Sequence, residues 1–112
     1  MDKTEAPKSE RIVQAESLIE LSRLGARVFR NNTGMLYNKD GTPVHYGLCK
    51  GSSDIIGIYK GRFLAVEIKA TGKRVKRCSN QERFLAMINE RGGIAFECDD
   101  ARKIKFILDT FD

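Results

Sequence analysis

The segment that decides the fold spans residues 51–69 and reads GSSDIIGIYKGRFLAVEIK. Residues 55–59 and 63–69 are rich in β-branched and aromatic side chains, and Lys60-Gly61 lies between them. Two such runs around a two-residue connection that ends in glycine predict a β-hairpin. The sequence therefore places a pair of antiparallel strands at the centre of the chain.

The expected register of this hairpin brings three charged residues together. If Tyr59 faces Arg62, counting back places Asp54 opposite Glu67, with α-carbons about 4.5 to 5.5 Å apart and both side chains on one face. Lys69 lies two residues after Glu67 and shares that face. A bulge in the turn would shift Asp54 by one residue and leave Glu67 and Lys69 together. Two carboxylates about 5 Å apart repel by about 3 kcal/mol at an effective dielectric constant of about 20, so we expect a shared proton, Lys69 or a cation to offset the repulsion.

Both faces of the two strands are otherwise apolar. The apolar residues are Ile56, Ile58, Phe63 and Ala65 beside the acids, and Ile55, Leu64, Val66 and Ile68 on the opposite face. Such a pattern is typical of central strands that are covered on both sides.

Two helices flank this hairpin in the sequence. Ser9 is a suitable N-cap for a helix that ends near Leu24, and Ser79 with Glu82 forms a capping box for a second helix that ends near Arg91. Gly25 and Gly92-Gly93 provide the stops. In the second helix Gln81 precedes Phe84 and Leu85 by three and four residues, so the amide shares the inward face.

The remaining predicted elements are a strand at 26–30, loops with one short hairpin in 31–53, a strand at 94–97 and a final helix capped by Asp99 or Asp100, with a core stripe of Ile104, Ile107, Leu108 and Phe111. This order predicts an α/β fold in which a small mixed β-sheet is flanked by helices. We expect a disordered tail at residues 1–8 and a single domain at residues 9–112.

Composition limits the classes of function. The chain has 112 residues, 20 Lys or Arg against 15 Asp or Glu and a formal net charge of +5, which favours a polyanionic partner or simply a soluble basic protein. Three distant cysteines and one histidine argue against a disulfide framework or a structural zinc site. We expect no membrane span and no signal peptide, and the free cysteines indicate a reducing cytoplasm.

Five short motifs, in order, resemble a known nuclease family. They are Arg30-Asn31-Asn32-Thr33-Gly34, Gly51-Ser52-Ser53-Asp54, Glu67-Ile68-Lys69, Ser79-Asn80-Gln81 with Phe84-Leu85, and Gly92-Gly93. From about Glu10 to the end, the chain resembles a stand-alone VRR-NUC (virus-type replication-repair nuclease) domain of the PD-(D/E)XK nuclease superfamily. The resemblance implies a restriction-endonuclease-like core. Many members carry proline before the first strand acid, where this chain has Ser53.

The resemblance also implies a metal-dependent active site. Asp54, Glu67 and the backbone carbonyl of Ile68 would bind Mg²⁺ or Mn²⁺, ions that prefer oxygen ligands. Lys69 would orient or deprotonate the attacking water or stabilise the transition state, and Gln81 would lie in the same pocket.

The family also contributes a glutamate from the first helix. Glu10, Glu16 and Glu20 are all candidates here. We favour Glu16, because on a helical wheel it lies between Ile12 and Ile19, in the apolar sector.

Basic and amide side chains near these motifs are candidates for DNA binding. They are Arg30, Asn31, Asn32, Lys50, Lys73, Arg74, Lys76 and Arg77. They would hold the DNA backbone by charge, without reading bases. The sequence shows no ladder of aromatic residues for stacking unpaired bases.

Each motif also has a structural interpretation. Asp54 could cap a turn, Glu67 and Lys69 could form an ion pair on a solvated strand, and Gln81 could assist helix capping. The functional interpretation predicts a structure-specific DNA endonuclease, most specifically a homodimeric Holliday junction resolvase. A flap or nicking nuclease, a restriction-type enzyme and a non-catalytic DNA-binding module are the alternatives.

Overall fold

A computed structural model describes residues 5–111, which contain three α-helices, one short 3₁₀ helix and two β-sheets. The helices are α1 (Glu10–Arg23), α2 (Asn80–Glu90) and α3 (Ile104–Asp109), with the 3₁₀ turn at Ala101–Lys103. The strands are β1 (Arg27–Arg30), β2 (Gly34–Tyr37), β3 (Pro43–Tyr46), β4 (Ile55–Tyr59), β5 (Arg62–Ile68) and β6 (Ile94–Cys98). The main sheet has the order β1-β4-β5-β6, and β2 pairs only with β3.

The central hairpin has the predicted register. Tyr59 pairs with Arg62 and Ile55 pairs with Val66. Lys60 and Gly61 both have positive φ, at 50° and 77°, which is the backbone conformation of a tight two-residue hairpin turn. The turn contains no bulge, and the ladder leads without a shift toward Asp54 and Glu67.

Helices cover the main sheet on both faces. Val13 and Leu21 of α1 and Ile104 and Leu108 of α3 pack against one face, where Leu64 belongs to the same apolar core. On the other face α2 supplies Phe84 and Leu85, which pack with Ala65, Val75 and Ala95. The predicted α/β fold with a small mixed sheet flanked by helices is confirmed.

Strand β6 lies parallel to β5, because α2 carries the chain back across the sheet. The register pairs Ala65 with Ala95 and Glu67 with Glu97. Paired residues of neighbouring strands point to the same face, so Glu97 shares the face of Glu67. No motif in the sequence marks Glu97 as a residue of the predicted site.

The β2–β3 hairpin, called the arm from here on (residues 34–46), packs on itself and leaves nearly all of its side chains exposed. It accounts for the elongated shape of the described chain, 51 × 35 × 27 Å with a radius of gyration of 15.0 Å, against about 13 Å for a compact domain of this length. The single short hairpin expected between residues 31 and 53 is confirmed, and it leaves from the end of the sheet where Asp54 directly precedes β4.

The prediction that both strands are covered on both sides is right for residues 64–68 of β5 and wrong for Phe63 at the start of β5 and for Ile58 of β4. Ile58 is 56% exposed, and its neighbours Phe29 of β1 and Phe63 of β5 are 55% and 40% exposed. The reason is the width of α2, which packs over β5 and β6 only. We call Phe29, Ile58 and Phe63 the outer apolar face.

Residues 5 to 8, which belong to the predicted tail, form hydrogen bonds with the rest of the chain. The backbone of Lys8 bonds twice to Thr71, through its N–H to the hydroxyl at 2.8 Å and through its carbonyl to the N–H at 3.0 Å. Glu5 also pairs with Arg102 at 2.9 Å. The rest of that prediction, residues 1–4, lies outside the described residues, as does residue 112 of the predicted domain.

The C-terminal α-helix is shorter than the sequence predicts. Asp100 caps the 3₁₀ turn by accepting a hydrogen bond from Arg102 N–H at 2.9 Å, and α3 follows at once. Ile104 and Leu108 are buried, whereas Ile107 and Phe111 are half-buried. No helix within residues 5–111 is long and apolar enough to cross a membrane.

Candidate metal centre

Asp54 lies at the mouth of the central hairpin and bonds to both neighbouring strands. Its backbone carbonyl accepts a hydrogen bond from Asn31 N–H at 2.7 Å. Its side-chain Oδ2 accepts one from Ile68 N–H at 2.8 Å. The carboxylate therefore replaces a backbone acceptor at the end of the β4–β5 ladder, and this bond fixes it beside Glu67 and Ile68.

Glu67 is the most unusual side chain of the molecule. It is only 6% exposed, and its Oε1 has no hydrogen-bond partner within the described residues. Burial, followed by the charge and hydrogen bond of Asp54, raises the pKa of Glu67 to about 8. A buried carboxyl with an unused oxygen, placed against a second carboxyl, destabilises the fold unless a cation or a proton is present.

The positive charge of Lys69 offsets only part of the repulsion and desolvation that act on Glu67. This charge acts to lower the pKa of Glu67, yet the net pKa remains raised. The interpretation of Glu67 and Lys69 as an ion pair on a solvated strand does not agree with the near-complete burial of Glu67. The negative charge at this end of the sheet is therefore balanced either by a proton on Glu67 or by an added cation.

A hard divalent cation fits these residues as a partly open site. Within residues 5–111 no group of three or more His, Cys, Asp or Glu side chains is arranged to enclose a metal. Asp54 and Glu67 nevertheless supply two carboxyls, one with an unused oxygen, next to the backbone of Ile68. Mg²⁺ characteristically binds through one or two carboxylates and completes its coordination with water and substrate phosphate, which is the donor set available here.

The structure brings Glu10, rather than Glu16, toward the carboxyl pair. The charge of Glu10 contributes to the raised pKa of Glu67. Glu16 instead accepts a hydrogen bond from Lys8 Nζ at 2.9 Å, and Glu20 is bonded to Arg23 at 2.6 Å. Of the three candidates, Glu10 is therefore the one whose charge acts on the carboxyl pair, with a side chain that is itself exposed.

The apolar residues Ile12 and Ile19, which place Glu16 on the inner side of a helical wheel, do not mark the buried face of α1. Val13, Ser17 and Leu21 form its buried line, whereas Ile12 and Ile19 are exposed. Glu10 precedes Val13 by three residues and Ser17 by seven, so it continues the buried line at the N-terminal end of the helix.

The basic loop, residues 71–77, approaches the site through Glu97. Val75 is buried between α2 and the sheet, and its N–H donates to Glu97 Oε2 at 3.4 Å. Arg74 reaches Glu97 Oε1 at 3.5 Å with a side chain that is otherwise exposed. Lys73, Lys76 and Arg77 are exposed as well. The loop is thus anchored by one apolar residue and presents its cations beside the strand that borders Glu67.

Asn31 serves the structure of the site rather than its surface. Its amide nitrogen donates to Ser52 Oγ at 2.7 Å and to the Ser53 carbonyl at 2.9 Å, and its amide oxygen accepts from Leu48 N–H at 3.1 Å. Because its amide groups are used inside the protein, we withdraw Asn31 from the predicted DNA-binding residues. Arg30, Asn32 and Lys50 are exposed, as that prediction requires.

Gln81 lines an open cleft between the arm and the start of α2. The cleft has a volume of ≈ 760 Å³, and Asp54, Glu67 and Lys69 are not part of its wall. Lys50, His45 and Tyr46 line it too. Gln81 was expected in the pocket of the acids, and the structure instead gives it a place in this neighbouring cleft.

No protein-family model matches the chain, and no curated protein matches it at a significant level. The five motifs and the geometry of the site therefore carry the functional argument.

Proposed function

We propose that the protein is a metal-dependent DNA endonuclease of the PD-(D/E)XK type that cuts branched DNA. The observation that carries this proposal is the buried, partnerless oxygen of Glu67 beside Asp54. Such an arrangement disfavours the metal-free state and supplies oxygen ligands for a hard cation.

The residues have distinct roles in this proposal. Asp54, Glu67 and the Ile68 carbonyl hold Mg²⁺ or Mn²⁺, with Glu10 nearby as the acid from the first helix. A metal of this kind activates water and neutralises charge on the leaving oxygen of a phosphodiester. Lys69 places a fixed positive charge where the phosphate gains negative charge, and this charge is most effective where water is excluded.

The DNA backbone is held by Lys73, Arg74, Lys76 and Arg77, with Arg30, Asn32 and Lys50 on the opposite side of Asp54. The net charge of +5 supports a polyanionic substrate. We propose a four-way junction as the preferred branched form and a homodimer as the active species, because a two-fold dimer presents two sites to two symmetric strands. Cysteines 49, 78 and 98 are all free, which supports a cytoplasmic location.

The direct test compares cleavage of a four-way junction, a flap and a plain duplex of matched sequence, each with Mg²⁺ and with Mn²⁺. We expect the wild-type protein to cut the junction fastest. Glu67→Gln and Lys69→Ala should abolish cutting and leave junction binding largely intact. Lys105→Ala is the matched control, since Lys105 bonds only to Asp109 on α3.

The same experiment separates the alternatives. Preference for the flap would favour a flap nuclease, and discrete bands from unbranched duplex would favour a restriction-type enzyme. Binding without cutting of any DNA form in either metal would leave only a DNA-binding module. Cutting by Lys69→Ala at the wild-type rate would show that the site is wrongly assigned.

A further inference from the structure

The cleft between the arm and α2 has the character of a ligand site. Its volume of ≈ 760 Å³ falls within the range of about 300 to 1,000 Å³ that is usual for such sites. Met35, Tyr46 and Leu48 supply apolar and aromatic surface, and Lys50, His45 and Gln81 supply polar groups. Apart from Lys50, which the proposed function places against the DNA backbone, none of these residues has a role in the proposed cleavage reaction.

Charge indicates that the ligand is anionic. The wall of the cleft contains Lys50 and no Asp or Glu. Another cleft of the described chain, of ≈ 370 Å³, is lined by Glu16, Glu20 and Asp100 together with basic residues. Gln81 also lies in the first turn of α2, where the helix dipole favours negative charge. A polyanion therefore fits the arm cleft better than an apolar protein segment does.

The aromatic ring of Tyr46 has a fixed position within this cleft. Tyr46 pairs with Gly34 across the arm, and a β-carbon on Gly34 would collide with its phenol ring. One side of the ring thus rests on the glycine backbone, while the residue remains 47% exposed. An aromatic ring fixed on one side and open on the other is suited to stacking on a nucleobase.

The cleft is rigidly connected to the metal centre. Gly51, in the wall of the cleft, lies three residues before Asp54, a span of at most about 11 Å. Ser52 and Ser53 between them are buried and bonded to Asn31. A span of that length corresponds to about three nucleotides of one strand at about 3.4 Å each.

We propose that this cleft binds an unpaired nucleobase together with its adjoining phosphate, the base stacking on Tyr46, its edge bonding to Gln81 and the phosphate pairing with Lys50. The expected source of this base is a DNA strand, a few nucleotides from the cut. In this respect the inference rests on the proposed function. It gives a physical basis for selecting branched DNA, since a base at a branch point unpairs at a lower cost than a base within a continuous duplex.

The test measures binding in EDTA, so that no cutting is needed. A fluorescent short oligothymidylate, the matching oligouridylate and a blunt duplex serve as probes. Tyr46→Ala should weaken binding of oligothymidylate roughly ten- to a hundredfold and leave duplex binding within about twofold. Tyr46→Phe retains the ring and should bind like wild type. The matched control is Tyr37→Ala, on the same arm but outside the cleft and 67% exposed.

Gly34→Ala is a second variant that keeps every aromatic ring and displaces Tyr46. It should lose part of the affinity for oligothymidylate, even if Tyr46→Ala proves poorly folded. Binding of oligouridylate that depends equally on Tyr46 would support the site and extend its ligand to RNA.

Unchanged binding by Tyr46→Ala, an equal loss for Tyr37→Ala, or an equal loss on duplex would overturn the base site. So would conversion of a dimer to a monomer by both tyrosine variants, which would make the arm a protein interface. Binding that depends on Tyr46, without cleavage in any metal, would refute the nuclease alone, and cleavage without such binding would refute the base site alone.

Discussion

At the scale of single residues, the carboxyl of Glu67 combines burial, a raised pKa of about 8 and an unused oxygen. Each of these properties costs stability in the free protein. A position that destabilises its own fold is expected where a ligand compensates the cost, and the proposed function supplies a divalent cation as that ligand.

Glu67→Gln should stabilise the metal-free protein. The amide is neutral and can donate a hydrogen bond to Asp54, so we expect a gain of about 1 kcal/mol, or roughly 5 °C in the melting temperature. Thermal unfolding in EDTA at neutral pH measures this difference. Added Mg²⁺ or Mn²⁺ should then raise the melting temperature of wild type and leave that of the variant unchanged. A lower melting temperature for the variant in EDTA would contradict our account of Glu67.

Two of the three glutamates of α1, Glu10 and Glu16, provide a matched pair. Glu10→Gln should lower the cleavage rate, because the charge of Glu10 acts on Glu67. Glu16→Gln should leave the rate unchanged, since it removes only the bond to Lys8 at the surface. Single-turnover cleavage of a junction compares them. A loss with Glu16→Gln and none with Glu10→Gln would restore the interpretation made from the sequence.

The carboxyl pair could be predicted from the sequence, whereas the helix acid could not. Asp54 and Glu67 follow from strand alternation and a two-residue turn, both of which are local. The buried line of α1 contains Ser17 at its centre, and two isoleucines of the same helix are exposed. Apolar spacing therefore indicates the wrong face, and only the packed structure shows the right one.

At the scale of elements, Asn31 ties the loop between the arm and β4 to the end of β1. Its bonds to Leu48, Ser52 and Ser53 join residues 17 to 22 positions apart. A local pattern cannot reveal such contacts, so the sequence suggested a surface role for this amide. The same limit concealed the cleft: Tyr46 and Gln81 meet only after the arm has formed.

Asn31→Ala should destabilise the protein by about 2 kcal/mol, because two partly buried hydrogen bonds and one exposed hydrogen bond are lost at about 0.5 to 1.5 kcal/mol each. Asn32→Ala, at the neighbouring exposed position, should change the stability by less than about 0.5 kcal/mol. Urea unfolding of the two variants measures the contrast. Equal effects would mean that the loop does not depend on Asn31.

The cap of the 3₁₀ turn should give the protein a dependence on acid pH. Hydrogen bonds from Arg102 lower the pKa of Asp100 to about 2. The stabilisation is therefore complete above the ordinary carboxyl pKa near 3.8 and is lost as the pH falls through about 2. Asp100→Asn should cost about 1 kcal/mol at neutral pH and should converge with wild type in strong acid.

Urea unfolding over a pH series measures this convergence. Asp109→Asn is the control, because Asp109 forms only an exposed pair with Lys105. A constant difference between wild type and Asp100→Asn down to pH of about 2 would contradict the role of the cap.

At the scale of the whole molecule, the outer apolar face is the surface most suited to a second copy of the chain. Phe29, Ile58 and Phe63 form a contiguous set on neighbouring strands that no described element covers. Contiguous exposed apolar residues commonly mark protein interfaces. The strand pattern predicted burial there, and pairing of two molecules would provide it.

Ile58→Lys should convert the proposed dimer into a monomer without unfolding it, since this exposed position tolerates change within about 0.5 kcal/mol. Light scattering at micromolar concentration gives the mass, and circular dichroism checks the fold. Lys105→Ala serves again as the control. A wild-type protein that is already monomeric would remove the dimer from the proposed function.

The two ends of the arm meet, with consequences for how the protein can be altered. A β-carbon on Gly47 would lie 2.7 Å from the carbonyl oxygen of Asn32, so the chain leaves and re-enters the core at nearly one point. Segments with adjacent ends and few contacts to the core tolerate insertion and replacement. The arm is therefore a segment that can be exchanged for another hairpin. Hairpins of other lengths and tips grafted between Asn32 and Leu48 would show whether the arm sets the substrate preference of the proposed nuclease.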